Sequence, residues 1–128
     1  MQFGYTILYV DDVASTLDFY GKAFTLPTRF LHESGTYGEL ETGATALAFV
    51  SRTMMREIGK NAQPPVLEAP TGEIALVTDD VAAAVQRALA AGARLVQEPR
   101  DMPWGQTIAY VGDVNGFLVE LCTPLAQP

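Results

Sequence analysis

Apolar and polar positions alternate with a period of two over residues 4 to 10. This places Tyr5, Ile7 and Tyr9 on one side and Thr6, Leu8 and Val10 on the other, which predicts a strand. The period then changes. Val13, Leu17, Tyr20 and Phe24 recur at helical spacing, behind an Asp11-Asp12 pair whose short carboxylates suit the orphan N–H groups of a first helical turn, and Pro27 ends the run. Period-two segments return at Thr28 to Glu33, Tyr37 to Glu41 and Thr45 to Ser51, separated by the turn signals Ser34-Gly35 and Thr42-Gly43.

The same order repeats further along. Glu73 to Thr78 reads as a strand, Asp79-Asp80 as a helix start, and Val81 to Ala91 as an alanine-rich helix stopped by Gly92. Arg94 to Gln97 is a further strand, and Pro99 and Pro103 bound a loop that carries Trp104-Gly105. Gln106 to Val111 and Phe117 to Thr123 form a hairpin through an Asn115-Gly116 turn. Tyr5 to Val13 and Glu73 to Val81 thus mark two copies of one βαβββ pattern. The chain is expected to be a single domain over 1–128, with a first half at 1–51, a linker at 52–72 holding a short helix near Met54 to Ile58, and a second half at 73–128.

Charge and composition narrow the function classes. A formal net charge of -7 with only eight Lys and Arg speaks against nucleic acid, whose phosphates need clustered cations. Arg52, Arg56 and Lys60 read instead as the solvated face of the linker helix. No apolar run suits a membrane span, and the first 20 residues, with Asp11, Asp12 and Asp18, do not resemble a secretory leader. A single cysteine, Cys122, excludes an internal disulfide and agrees with a cytoplasmic location. Its strand context and lack of a neighbouring histidine speak against a nucleophile. Gly35, Gly38 and Gly43 lack a phosphate-cradling spacing.

The duplicated βαβββ order, the Asp-Asp-Val helix starts and the closing run Asp113-Val114-Asn115-Gly116-Phe117-Leu118-Val119-Glu120-Leu121 together resemble the vicinal oxygen chelate superfamily. That superfamily includes glyoxalase I, bleomycin-resistance proteins, fosfomycin-resistance transferases and extradiol dioxygenases. The likeness spans nearly the whole chain and is most specific from Pro103-Trp104-Gly105-Gln106 to Pro124. It implies an α+β fold in which two βαβββ repeats form a cupped mixed β-sheet with helices outside, usually as a homodimer.

In metal-using members the ligands occupy positions that fall here on Tyr5, Glu73 and Glu120, with a fourth near Leu47 or Ala48. Only Glu120 is the usual ligand type. Imidazole is missing where a divalent first-row metal gains most affinity, and a phenol is a poor substitute. No cofactor is therefore expected; the alternative is a divalent metal, Zn, Ni, Mn, Fe or Mg, held by Glu73, Glu120 and Tyr5.

The resemblance also implies that Glu73 approaches Glu120, in which case repulsion makes one carboxyl keep its proton to high pH. Such a pair is the candidate catalytic set. Tyr5, Ile7, Phe49, Glu73, Trp104, Tyr110 and Glu120 are the candidate ligand-binding set, with Trp104 stacking on a planar guest. His32, the only histidine, reads as a surface residue. The leading expectation is a binding protein that holds a small organic molecule in the cupped sheet. The alternative is a glyoxalase-like lyase or isomerase, or a dioxygenase, acting through Glu120 and Glu73.

Overall fold

The structure, a computed structural model, describes residues 1–125; the last three positions of the expected second half lie outside them. Two compact units divide the chain, one over residues 1–64 and one from Pro65 onward. Each contains one four-stranded mixed sheet.

The first unit runs β1 (Tyr5–Val10), α1 (Val13–Phe24), β2 (Thr28–Leu31), β3 (Tyr37–Leu40), β4 (Ala46–Ser51) and α2 (Arg52–Glu57). Its sheet has the order β1-β4-β3-β2, with β1 parallel to β4 and the other pairs antiparallel. Asp12 caps α1 by accepting from the Ser15 backbone N–H at 2.8 Å. At the other end Thr25 takes a left-handed conformation, φ 56°, so that the Leu26 N–H returns to the Tyr20 carbonyl. Val13, Leu17, Tyr20 and Ala23 line the buried stripe of α1. A Cβ at Gly38 would come within 2.7 Å of Leu17 and 3.2 Å of Val13, so α1 lies directly on that strand and a larger residue there requires those side chains to shift.

The second unit runs β5 (Ile74–Val77), α3 (Val81–Ala90), β6 (Arg94–Asp101), β7 (Thr107–Gly112) and β8 (Leu118–Cys122), in the sheet order β5-β8-β7-β6. Asp80 caps α3 through the Ala83 N–H at 3.0 Å. In the β7 to β8 turn, Asp113 Oδ1 accepts from the N–H groups of Asn115 and Phe117 while Gly116 sits at φ 99°. Ala109, Val111, Val119 and Leu121 are buried on the face that carries α3.

Two features depart from the sequence expectation. β6 runs through Pro99 to Asp101, whereas its pattern ended at Gln97 with Pro99 opening a loop. β6 is an edge strand with register shifts between Leu95 and Gln97 and between Gln97 and Arg100, and an edge with bulges tolerates a residue without an N–H. Arg52 is buried rather than part of a solvated helix face. Its guanidinium pairs with Asp11 and donates to the Tyr9 carbonyl at 2.9 Å, tying the start of α2 to the end of β1.

Candidate functional site

Strand pairing fixes which side chains share a surface, because partners in register point to the same side of a sheet. In the second unit Ala75 pairs with Glu120, Glu120 with Tyr110, and Tyr110 with Gln97. These four residues form one row across the sheet, on the face away from α3. Glu73 precedes β5 by one residue and shares this face with Ala75, close enough for its carboxyl to hydrogen-bond to that of Glu120.

Three polar groups converge there. The Tyr110 hydroxyl donates to Glu120 Oε1 at 3.0 Å. Among the described residues neither Glu73 nor Glu120 has an ion-pair partner. Glu73 is exposed overall, and partial loss of solvent, the hydrogen bond between the two carboxyls and their mutual repulsion, in that order, hold its carboxyl above the usual glutamate range. Burial, reinforced by Glu120, pushes the Tyr110 phenol up to about 12, so it remains a donor at ordinary pH. Cys122 lies one row away on the same face, buried, with its thiol pushed up to about 11 by burial first and Glu120 second. The arrangement is one carboxyl held above the usual range, one that accepts from a phenol, and no cation paired with either among the described residues.

The remaining residues singled out from sequence are placed differently. Tyr5 and Ile7 lie in the first unit on β1, both exposed, on the face away from α1. Phe49 is on the opposite face of its sheet: it is fully buried with its ring 5.0 Å from that of Tyr20, and it packs the core under α1. Trp104 is exposed in the loop between β6 and β7. Its Nε1 donates to Gln106 Oε1, and Gln106 Nε2 donates to the Thr123 carbonyl, so the indole is braced at the C-terminal end of β8. Glu73 stands beside the N-terminal end of that strand. Trp104 and the carboxyl pair are therefore separated along β8 and are not gathered together. His32 is exposed and bonded to Ser34.

Gln97 escaped the sequence reading. Counted by twos from Leu95, it belongs on the α3 face; the bulge moves it opposite Tyr110. Pro99 inside an otherwise strand-like run was the available signal, since proline in a strand marks an edge or a bulge.

The donors do not fit a tightly held transition metal. Among the described residues no group of three or more His, Cys, Asp or Glu side chains is placed to hold one. In the second unit the carboxyls engage each other and Tyr110, the thiol is strongly protonated, and imidazole is missing.

Comparison with known proteins supplies a family. The Glyoxalase/Bleomycin resistance protein/Dioxygenase superfamily matches residues 2–121. An uncharacterized protein of Mycobacterium bovis is 33% identical over 125 residues, covering 94% of this chain and 82% of its own. Among solved structures, a glyoxalase-related enzyme from Fulvimarina pelagi aligns with TM-score 0.85 at 21% identity, covering 100% of this chain and 91% of that one. A glyoxalase/bleomycin resistance protein/dioxygenase family enzyme from Burkholderia phytofirmans aligns with TM-score 0.74 at 18% identity, covering 94% and 96%. At such identities the structural likeness extends to the fold alone.

Proposed function

Because this chain belongs to the glyoxalase/bleomycin resistance protein/dioxygenase superfamily, we propose that it is a small-molecule-binding protein whose second unit takes an organic cation at the Glu73 and Glu120 carboxyls. One observation carries this reading. Two carboxyls hydrogen-bond to each other on a sheet face with no Lys, Arg or His paired to them among the described residues. Glu73 is exposed and Glu120 half-buried, and an ammonium or amidinium guest would give the two carboxyls the counter-charge they lack. Tyr110 adds a flat apolar surface next to the charge, which suits a cation attached to a ring. A net charge of -7 raises the local concentration of such guests.

Metal-dependent lyase, isomerase or dioxygenase chemistry receives less support, since it asks for nitrogen donors that this face does not present. We further propose that the protein is a homodimer, which light scattering on the purified protein checks.

The function is tested by a thermal-shift screen of primary amines, amidines and their neutral isosteres. Cationic members are expected to raise Tm and the neutral isosteres to leave it unchanged. Glu120→Gln should weaken cation binding at least tenfold, the loss of one charge-assisted hydrogen bond. Equal stabilisation by cationic and neutral compounds, or unchanged cation binding by Glu120→Gln, would overturn the proposal.

A further inference from the structure

The bulges of β6 also shape the face of the sheet that carries α3. Gln97 pairs with Tyr110 and Arg100 with Ile108, so two residues, Glu98 and Pro99, stand opposite Ala109 alone. The extra residue brings both to the side of their common partner. Ala109 is buried on the α3 face, as is Val111, the partner of Leu95. Leu95, Glu98 and Pro99 therefore project toward the helix. Ala82, Val85, Gln86 and Leu89, one stripe of α3 at spacings of three and four, meet them across an open groove of about 230 Å³.

This groove lies on the opposite side of the sheet from the carboxyl pair. Its walls are apolar: Val85 is buried, Leu89 half-buried and Leu95 41% exposed. Its one charged lining residue is Glu98, an exposed carboxylate with no ion-pair partner among the described residues. The cations of β6 are turned away from it. Arg94 stands opposite Gly112 and Arg100 opposite Ile108, both on the carboxyl face, and Arg94 is bound to Glu68 at 2.7 Å.

The first unit treats the equivalent helix surface differently. Aligned at Val13 and Val81, α1 carries Asp18, Gly21 and Lys22 where α3 carries Gln86, Leu89 and Ala90. Asp18 and Lys22 bind each other at 2.8 Å with both side chains mostly in solvent. α3 has no such pair and adds a leucine wall, which leaves the Glu98 carboxylate as the one charge beside an apolar surface.

We propose that the groove between α3 and β6 is a binding site for a small organic cation with an apolar body: the body lies against Val85, Leu89 and Leu95, and the cationic nitrogen meets the Glu98 carboxylate. Size and charge fix this class. A cavity of roughly 150 Å³ accommodates benzene, so this groove takes a single ring with a short substituent. Burial of the ring supplies most of the affinity, and an exposed carboxylate adds a small preference for positive charge. The net charge of -7 acts in the same sense. An added peptide strand is the poorer occupant, because a bulged edge resists strand pairing. The site is independent of the Glu73 and Glu120 pair and stands or falls without it.

Cyclohexylamine and cyclohexanol, a ring with and without charge, are the probes. NMR titration of the full chain should move the signals of Ala82, Gln86, Leu89 and Leu95 saturably, with the amine about threefold tighter than the alcohol, the scale of a surface charge pair. High salt should shrink that preference. Glu98→Gln should bind both probes alike, and Gln86→Glu, at an exposed helix position, should widen the preference for the amine. Ala82→Phe, also at an exposed position, fills the groove and should bind neither probe while keeping the dispersed spectrum of the folded parent.

Equal affinity of the parent for the two probes, or a preference that survives in Glu98→Gln, removes the carboxylate's role and with it the cation class. Amine shifts confined to Glu73, Tyr110 and Glu120 would put the guest on the other face and overturn the groove. So would undiminished binding by folded Ala82→Phe, or the absence of any saturable shift in the parent. Should Ala82→Phe fail to fold, the shift map and the Glu98→Gln and Gln86→Glu titrations decide alone.

Discussion

The two units share a strand order and differ in how they treat acid. Matched by register, Ile7, Ala48, Glu39 and Phe30 of the first correspond to Ala75, Glu120, Tyr110 and Gln97 of the second. In each unit the carboxylate of this row accepts from a phenol, in the first from Tyr37 of the neighbouring row at 2.7 Å and in the second from Tyr110 of the same row at 3.0 Å. In the first unit Arg29 completes the set. It lies 3.8 Å from Glu39 and makes a two-pronged contact with Glu41, at 2.8 and 2.7 Å. In the second, no cation pairs with Glu120 among the described residues, and a further carboxyl, Glu73, approaches it from beside β5 at the opposite edge of the sheet. An arginine closes one cluster, and the carboxyls of the other have no paired cation among the described residues. The difference teaches that duplication preserved the frame while charge balance decided which half kept an unmet demand.

The most severe way to break the contrast is to give the first unit the carboxylate of the second. Ala48 is fully buried and sits in register with Glu39, so Ala48→Glu forces an unpaired charge beside an existing one. A loss of about 3–5 kcal/mol is expected in urea denaturation, the scale of an uncompensated buried charge. A loss under about 1 kcal/mol would mean that Arg29 can serve both rows and that the units are less distinct than their registers suggest.

A smaller effect should be the same in both units. Asp12 and Asp80 cap α1 and α3 by equivalent bonds, so Asp12→Ala and Asp80→Ala should each cost about 1 kcal/mol. Markedly unequal costs would show that the caps, unlike the rows, had diverged.

The gentlest probe is pH. Arg29 holds the Glu41 carboxyl below the usual range, chiefly by hydrogen bonding. A depressed folded value contributes stability above the unfolded value and loses it as pH falls through the folded one. Glu73 is raised from 4.5, so its contribution is complete below 4.5 and is lost as pH rises through the folded value. The two clusters therefore tilt the stability profile in opposite directions. Glu73→Gln should flatten the decline on the upper side and leave the acid side alone, while Arg29→Gln should do the reverse. Parallel effects of the two variants on denaturation midpoints across pH would refute the assignment.

Much of this frame is legible in the chain because its signals are local. Asp-Asp-Val before an apolar stripe, Gly92 after a helix and Asn115-Gly116 between strands each act within a few residues, and the elements stand where those signals put them. The nearness of Glu73 and Glu120 followed from the family resemblance and not from periodicity. What stayed hidden depends on partners distant in the chain. The bulge at Val96 exists because β7 sets the register of β6, so alternation alone placed Gln97 on the wrong face. Arg52 looked like a solvated cation because its partner Asp11 is 41 positions away. Phe49 belonged to an aromatic list in sequence and to the α1 interface in space. Trp104 stayed apart from the carboxyls because Gln106 fastens it to the far end of β8.

Cys122 offers an unplanned gauge of local breathing. It is the only sulfhydryl in the chain, it is buried in β8, and its ionisation is displaced to about 11. An alkylating reagent at mild alkalinity can thus attack it only when that strand transiently separates from its neighbours, so the labelling rate counts those excursions. The first unit has no thiol and is silent in the assay. One natural atom thereby reports on half of a duplicated molecule without any engineered label.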